Sequence, residues 1–321
     1  MATVLAALGT AVIFQAATQA VSAAVVKITS LGGVDGEFCI LDRAMVFEYL
    51  DGTRLLYDPG FTVAGAQDPR SGKIDAVLTS HMHFDHVGGR HTKAPNASLC
   101  TKPEMSVDAL PETNAVRIAF AKGAKIVTGS EMPPFFAAKL KALGGNPKNF
   151  ILARFGATKM VGGVKISTVP ALHSNGLHPK MIGGNLGKAK KAAGIGGYVG
   201  QATGYILRFT NGLVAYLSGD TGMTAEQDKV VRGFYHANLA VMNIGDTYTT
   251  GPKEAAFVIN EMIKPASVIP SHANEPATKG GKVRAGTRTA IFQKAVKVPV
   301  HIPLSGKTMS FNGAGVCTSG C

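Results

Sequence analysis

An apolar run, Ala76-Val77-Leu78-Thr79, passes without a break into Ser80-His81-Met82-His83-Phe84-Asp85-His86 and ends at Gly88-Gly89. The run reads as a buried strand, and it delivers three imidazoles and a carboxylate to one place. Such a group is costly to bury unless something binds it. Adjacent imidazolium charges repel, and neutral rings need an acceptor or a metal. If the backbone stays extended, His81 and His83 point to one side. Asp85 and His86 follow a turn and aim at a second position nearby. Two neighbouring ions with mixed nitrogen and oxygen ligands fit this spacing better than one.

The rest of the chain supplies a frame for such a strand. Short β-branched or aliphatic runs bounded by Gly, Asp and Pro predict strands at Val25–Leu31, Phe38–Asp42, Met45–Tyr49, Arg54–Tyr57 and Ala76–Thr79. The pattern returns at Val164–Val169, Tyr205–Phe209, Val214–Leu217, Leu239–Ile244, Val268–Ile269, Val300–Ile302 and Thr308–Phe311. Asp51-Gly52 and Asn211-Gly212 mark hairpins. Helices are expected at Pro134–Leu143, Thr224–Arg232, Pro252–Ile263 and Thr287–Ala295, from their proline or threonine starts and glycine or proline stops. Meanders that give way to strand–helix alternation, twice over, imply an α/β sandwich: two mixed sheets face to face, with helices on the outer faces. Residues 25–312 read as one domain, and 313–321 as a cysteine-containing tail. The Gly- and Lys-rich stretch Ser174–Thr203 reads as a mobile flap.

The motif His81-x-His83-x-Asp85-His86 after a hydrophobic strand resembles the metallo-β-lactamase superfamily. Val169-Pro170-Ala171-Leu172-His173, Leu217-Ser218-Gly219-Asp220-Thr221-Gly222 and Val268-Ile269-Pro270-Ser271-His272 are similar to its third-histidine, bridging-aspartate and last-histidine motifs, in the same order. Leu55-Leu56-Tyr57-Asp58-Pro59 and Thr250-Gly251-Pro252-Lys253-Glu254 resemble the branch of metal-dependent hydrolases that includes ascorbate-6-phosphate lactonase. The resemblance implies an αββα four-layer fold. It implies two divalent ions, zinc first and manganese or iron otherwise. His81, His83 and His173 would hold one ion; Asp85, His86 and His272 would hold the other; Asp220 would bridge them. It departs from the family pattern at Gly36-Glu37-Phe38-Cys39, where relatives carry Gly-His, and at Ala273-Asn274-Glu275-Pro276 after the last histidine.

The function expected on this basis is hydrolysis by a hydroxide that two metal ions activate, on a small anionic ester or lactone. Asp85 would orient the nucleophile and pass on its proton, and Asp58 would accept an N–H from a ligand histidine and fix its tautomer. His178 and Tyr248 are the candidate substrate contacts. From Met132 to Gly219 there is no Asp or Glu, while eleven Lys and Arg occur, within a net charge of +13. Such a field favours anionic partners, or is a solvated basic face that keeps the protein soluble. A phosphodiesterase or nuclease on the same fold is one alternative, weakened because the chain has no Trp and only 7 Tyr for base stacking. A non-catalytic metal binder is the other.

The uncharged stretch Met1–Val26 ends in Val21-Ser22-Ala23-Ala24 and reads as a secretory signal peptide over residues 1–24, which implies a periplasmic or secreted protein. A membrane anchor, or an Ala-rich N-terminal helix of a cytoplasmic chain, are its other readings; nothing later reads as transmembrane. Cys317 and Cys321 are spaced for a small disulfide loop in an oxidising compartment, or for two free thiols. Cys39 reads as a buried small hydrophobe.

Overall fold

A computed structural model describes residues 24–321, so the expected leader lies outside the described residues save for Ala24. The chain first lays down β1 (Val26–Ser30), β2 (Met45–Glu48), β3 (Arg54–Tyr57), β4 (Ala76–Leu78), β5 (Lys125–Thr128) and β6 (Phe150–Leu152). It then builds β7 (Thr158–Val161), β8 (Val164–Ala171), β9 (Ala202–Arg208), β10 (Val214–Leu217), β11 (Leu239–Asn243) and β12 (Ser267–Ser271). It returns with β13 (Thr308–Phe311) and β14 (Cys317–Ser319). One sheet has eight strands in the order β14-β13-β1-β2-β3-β4-β5-β6, and the other six in the order β12-β11-β10-β9-β8-β7. Both are mixed. Hairpin-linked strands pair antiparallel, whereas β3-β4-β5-β6 and β10-β11-β12 pair parallel.

Alternation along each strand explains the layers, because successive side chains face opposite sides of a sheet. Leu55 and Tyr57 of β3, Ala76 and Leu78 of β4, and Tyr205 and Leu207 of β9 share the core between the sheets. Leu56, Val77 and Ile126 face the opposite way and pack with Val116 and Ile118 of α2 (Asn114–Lys122) and Phe136 and Leu140 of α3 (Pro133–Ala142). Ile206, Tyr216, Ala240 and Val268 pack against Ala255 and Ile259 in the helix that begins as α6 (Pro252–Phe257) and continues in wider turns through Ile263. Phe292 of α7 (Arg288–Ala295) completes that layer. The four layers are therefore helix, sheet, sheet, helix, as the element order implied.

Several expectations are corrected. Phe38–Asp42 is not a strand but a buried loop. Its N–H groups find partners outside any sheet: Phe38 donates to Thr278 Oγ1, Ile40 to the Cys100 carbonyl, and Cys39 at 2.7 Å to the Asp42 carboxylate, which also accepts from Gly33 at 2.8 Å. Cys39 is buried, but as half of a disulfide with Cys100, whose Cα lies 4.7 Å away. Val300 forms a single bridge to Val268 where a strand was expected at Val300–Ile302. The tail from 313 supplies β14, an edge strand paired with β13, and Cys317 is disulfide-bonded to Cys321. The stretch Ser174–Thr203 carries regular structure: Gly176–Leu177 pairs with Gly197–Tyr198, and α4 (Pro179–Ile182) and α5 (Gly184–Ala192) lie between. The helix expected at Thr224–Arg232 is present, running from Ala225 to Arg232 with wider, π-type turns over Gln227–Arg232. Among the described residues no helix is long and apolar enough to cross a membrane.

Candidate metal centre

The site lies where β4, β8, β10 and β12 end and the chain leaves the sheets. Beyond β4, Ser80 and His81 are fully buried, and a one-turn helix α1 (Phe84–Val87) carries Asp85 and His86. That helix stops at Gly88, whose φ is 74° and which approaches Asn114 and Gly60 so closely that a Cβ would collide. His173 follows β8, Asp220 follows β10, and His272 follows β12. Gly219, at φ 60°, lets the Asp220 turn press against Ser80 and the Thr203 carbonyl. Site residues other than glycine also hold left-handed backbones, among them Asp58 at φ 38°, His272 at φ 49° and Asn274 at φ 53°. Strain of this kind gathers at functional sites.

All seven residues expected to bind metal converge. His81 Nε2 lies 3.0 Å and His173 Nε2 3.2 Å from His83 Nδ1, and their ligand atoms form one compact trio. Asp220 Oδ2 stands 3.9 Å from His81 Nε2, 3.7 Å from His173 Nε2 and 3.0 Å from His272 Nε2. Its other oxygen is 3.3 Å from His86 Nε2. Asp85, His86 and His272 form a second grouping, with Asp85 Oδ2 3.5 Å from His272 Nε2 and 3.8 Å from His86 Nε2.

The first trio fits a cation. Burial holds His81 well below the usual imidazole range, and neighbouring rings add to this; burial also lowers His83 and His173. Neutral rings offer lone pairs. One proton on His83 Nδ1 satisfies only one of the two nitrogens facing it, whereas an ion about 2.0–2.1 Å from each nitrogen would hold them roughly 3–3.5 Å apart. Buffering of charge is different in the second grouping. Burial opposes charge on His86, yet Asp220, Asp58 and Asp85 outweigh it and raise this imidazole to about 10. Burial likewise opposes charge on Asp85 and Asp220. Arg43 and His86 nevertheless hold the first carboxyl well below its ordinary range, and His272 and His86 do so for the second.

Asp58 is fully buried beneath these ligands. Its Oδ2 lies 2.8 Å from His86 Nδ1 and accepts from Ser80 Oγ at 2.6 Å, while Oδ1 accepts the Ser80 N–H at 2.8 Å. Ser80 Oγ is in turn 2.9 Å from His81 Nδ1. One carboxylate thus fixes the ring nitrogen of His86 directly and that of His81 through the serine hydroxyl, turning both Nε2 atoms toward the centre. Asp58 stands where the sequence placed it; the relay through Ser80 was not expected.

Above the centre opens a cavity of about 670 Å³, lined by His83, Asp85, His173, Asp220 and His272 and also by Arg43, Tyr248, Asn274 and Arg288. Tyr248 therefore sits on the wall, as expected. His178 does not. It lines a neighbouring cavity of about 510 Å³ with Phe84 and Lys191, and its Nδ1 caps α4 by accepting the Lys180 N–H at 3.1 Å. Arg43 is the residue that sequence reasoning missed: its side chain is 2% exposed and makes a 2.6 Å ion pair with Asp85. The only signal was a charged pair, Asp42-Arg43, directly before an apolar strand.

Known proteins resemble the chain in sequence and fold. The beta-lactamase superfamily domain matches residues 53–273. A UPF0173 metal-dependent hydrolase from Koribacter versatilis is 29% identical over 265 residues, covering 81% of this chain and 91% of the relative. One from Thermococcus onnurineus is 30% identical over 230 residues, covering 71% and 80%. Among solved structures, Igni18, a metallo hydrolase from Ignicoccus hospitalis, superposes with a TM-score of 0.56 at 22% identity, over 90% of this chain and 99% of that one. An isothiocyanate hydrolase from Delia radicum gut bacteria does so at 0.51 and 19%, over 89% and 99%. At these identities the superpositions speak for the fold. With a domain match over most of its length and the ligand motifs gathered at the strand ends, the chain belongs to the metallo-β-lactamase superfamily of metal-dependent hydrolases.

Proposed function

We propose that the protein hydrolyses a small anionic ester or lactone in the cavity above His81, His83 and His173. The observation that carries this reading is the trio of neutral, converging imidazoles at the floor of a cavity whose wall holds Arg43 and Arg288. His81, His83 and His173 would hold a divalent ion, zinc by its preference for nitrogen ligands, with Asp220 facing the same position. Such an ion supplies hydroxide near neutral pH and polarises a carbonyl oxygen. The protein's own groups do the rest. Asp58 and Ser80 hold His81 in the tautomer whose Nε2 faces the centre. Asp85, kept ionised by Arg43 and open to the cavity, accepts a hydrogen bond from the attacking water and orients it. Arg288 attracts the substrate's negative charge, and Tyr248 closes the outer wall.

The sequence motifs assign a second ion to Asp85, His86 and His272. That grouping exists, but it surrounds an arginine, as developed below. Export is the other part of the proposal: two disulfides fit an oxidising compartment and the leader-like N-terminus. Activity is tested by a hydrolysis panel of carboxylated and neutral esters and lactones, run with zinc, manganese or iron and with a chelator. Chelator-sensitive turnover that favours the anionic members is expected. Turnover indifferent to chelation would refute it.

A further inference from the structure

Arg43 lies inside the second ligand grouping. Its Nη2 is 2.6 Å from Asp85 Oδ2 and 2.6 Å from His272 Nε2, and its Nε donates to His86 Nε2 at 3.3 Å. All three residues assigned to a second ion are thus engaged by one guanidinium. His86 Nδ1 faces the Asp58 carboxylate at 2.8 Å, which turns its Nε2 toward Arg43 and Asp220. An ion about 2.1 Å from Asp85 Oδ2 and His272 Nε2 would lie against Nη2, and like charges at that separation repel strongly.

The arginine is also anchored. The preceding Asp42 is locked by the N–H groups of Gly33 and Cys39, Cys39 is tied to Cys100, and Nη2 additionally reaches Asn274 Oδ1 at 3.3 Å. This loop is where the chain departs from its family's Gly-His pattern, and Asn274 lies in the other departure. By contrast, no Lys or Arg pairs with His81, His83 or His173 among the described residues. Arg43 Nη1 is buried without a hydrogen-bond partner, and Arg43 lines the cavity.

From this arrangement we infer that the protein is a single-metal enzyme in which the Arg43 guanidinium permanently takes the place of the second cation. The inference rests on the metal-dependent reading above, and the experiment separates the two. The full chain, saturated with zinc and desalted, is analysed for zinc per chain by mass spectrometry. One ion is expected in the wild type, one in Arg43→Lys, which keeps the charge, and two in a folded Arg43→Ala. Asp85→Ala is expected to keep one ion at unchanged affinity, whereas His173→Ala loses it. Two ions in the wild type, or a folded Arg43→Ala that still takes one, would overturn the inference. If Arg43→Ala fails to fold, the wild-type and Asp85→Ala counts decide alone. Absence of zinc from the wild type would sink the metal-dependent reading itself, and this inference with it.

Discussion

At the scale of single residues, the site is a set of charges and lone pairs whose directions are fixed from below. Asp58 does most of that fixing through its contacts with His86 and with Ser80, which meets His81. Replacing it with Asn keeps the shape but ends the carboxylate's acceptance from both directions. Loss of a partner that orients a ligand typically costs 10–100-fold in affinity or activity. Asp58→Asn is therefore expected to weaken zinc binding by about that factor, read by competition with a chromophoric chelator, while its circular dichroism stays native. Ser80→Ala should give a smaller loss of the same kind. Asp58 was legible because it sits in a motif, Tyr57-Asp58-Pro59. Arg43 was not legible, because a charge before a strand says nothing about a histidine 229 residues away.

Secondary elements bring these residues together, and their agreement with the sequence follows from how much local information each carries. β3, β10 and β13 appear with the bounds that alternation and turns imply. Phe38–Asp42 has strand-like composition, yet its N–H groups go to Thr278, to the Asp42 carboxylate and to the Cys100 carbonyl, and its cysteine to a partner 61 residues on, which no local pattern reveals. β5, β6 and α2 were missed because short mixed runs such as Lys125–Thr128 become strands only by pairing beside β4. Closing a loop of that length with Cys39–Cys100 is worth about 2–4 kcal/mol. The Cys39→Ser/Cys100→Ser variant should lose about that much stability in denaturant unfolding. Tyr205 of β9 crosses the core to place its hydroxyl 2.7 Å from the Thr79 carbonyl and 2.9 Å from that of Val127. It thereby pins the end of β4 on which the histidines ride. Tyr205→Phe is expected to cost about 1–3 kcal/mol, since it leaves buried carbonyls short of a donor; an unchanged melting curve would remove that role.

For the molecule as a whole, the positive charge is distributed rather than arrayed. The acid-free segment spreads its lysines over α3 (Lys139, Lys141), α5 (Lys188, Lys190, Lys191), the edge strand β7 (Lys159) and its neighbour β8 (Lys165). Arg154 is paired with Glu131 at 3.1 Å. A field of this kind steers small anions and weakens with salt. Turnover of a carboxylated ester should fall as ionic strength rises, through kcat/KM, while that of a neutral analogue stays level. Equal salt responses would remove the case for an anionic substrate. Salt-sensitive retention on nucleic acid would instead favour the phosphodiesterase alternative. The four-layer order was readable because each meander-then-alternation block forms most of one sheet, with β13 and β14 returning to the edge of the first. What joins the blocks at the site was readable only through the motifs.

The account depends on His81, His83 and His173, from two different sheets, gripping one ion. A zinc-soaked crystal measured at the zinc absorption edge tests this most directly. The account expects a strong anomalous peak about 2.0–2.1 Å from His81 Nε2, His83 Nδ1 and His173 Nε2. Bound zinc found only elsewhere, or no peak at saturating zinc, would contradict it.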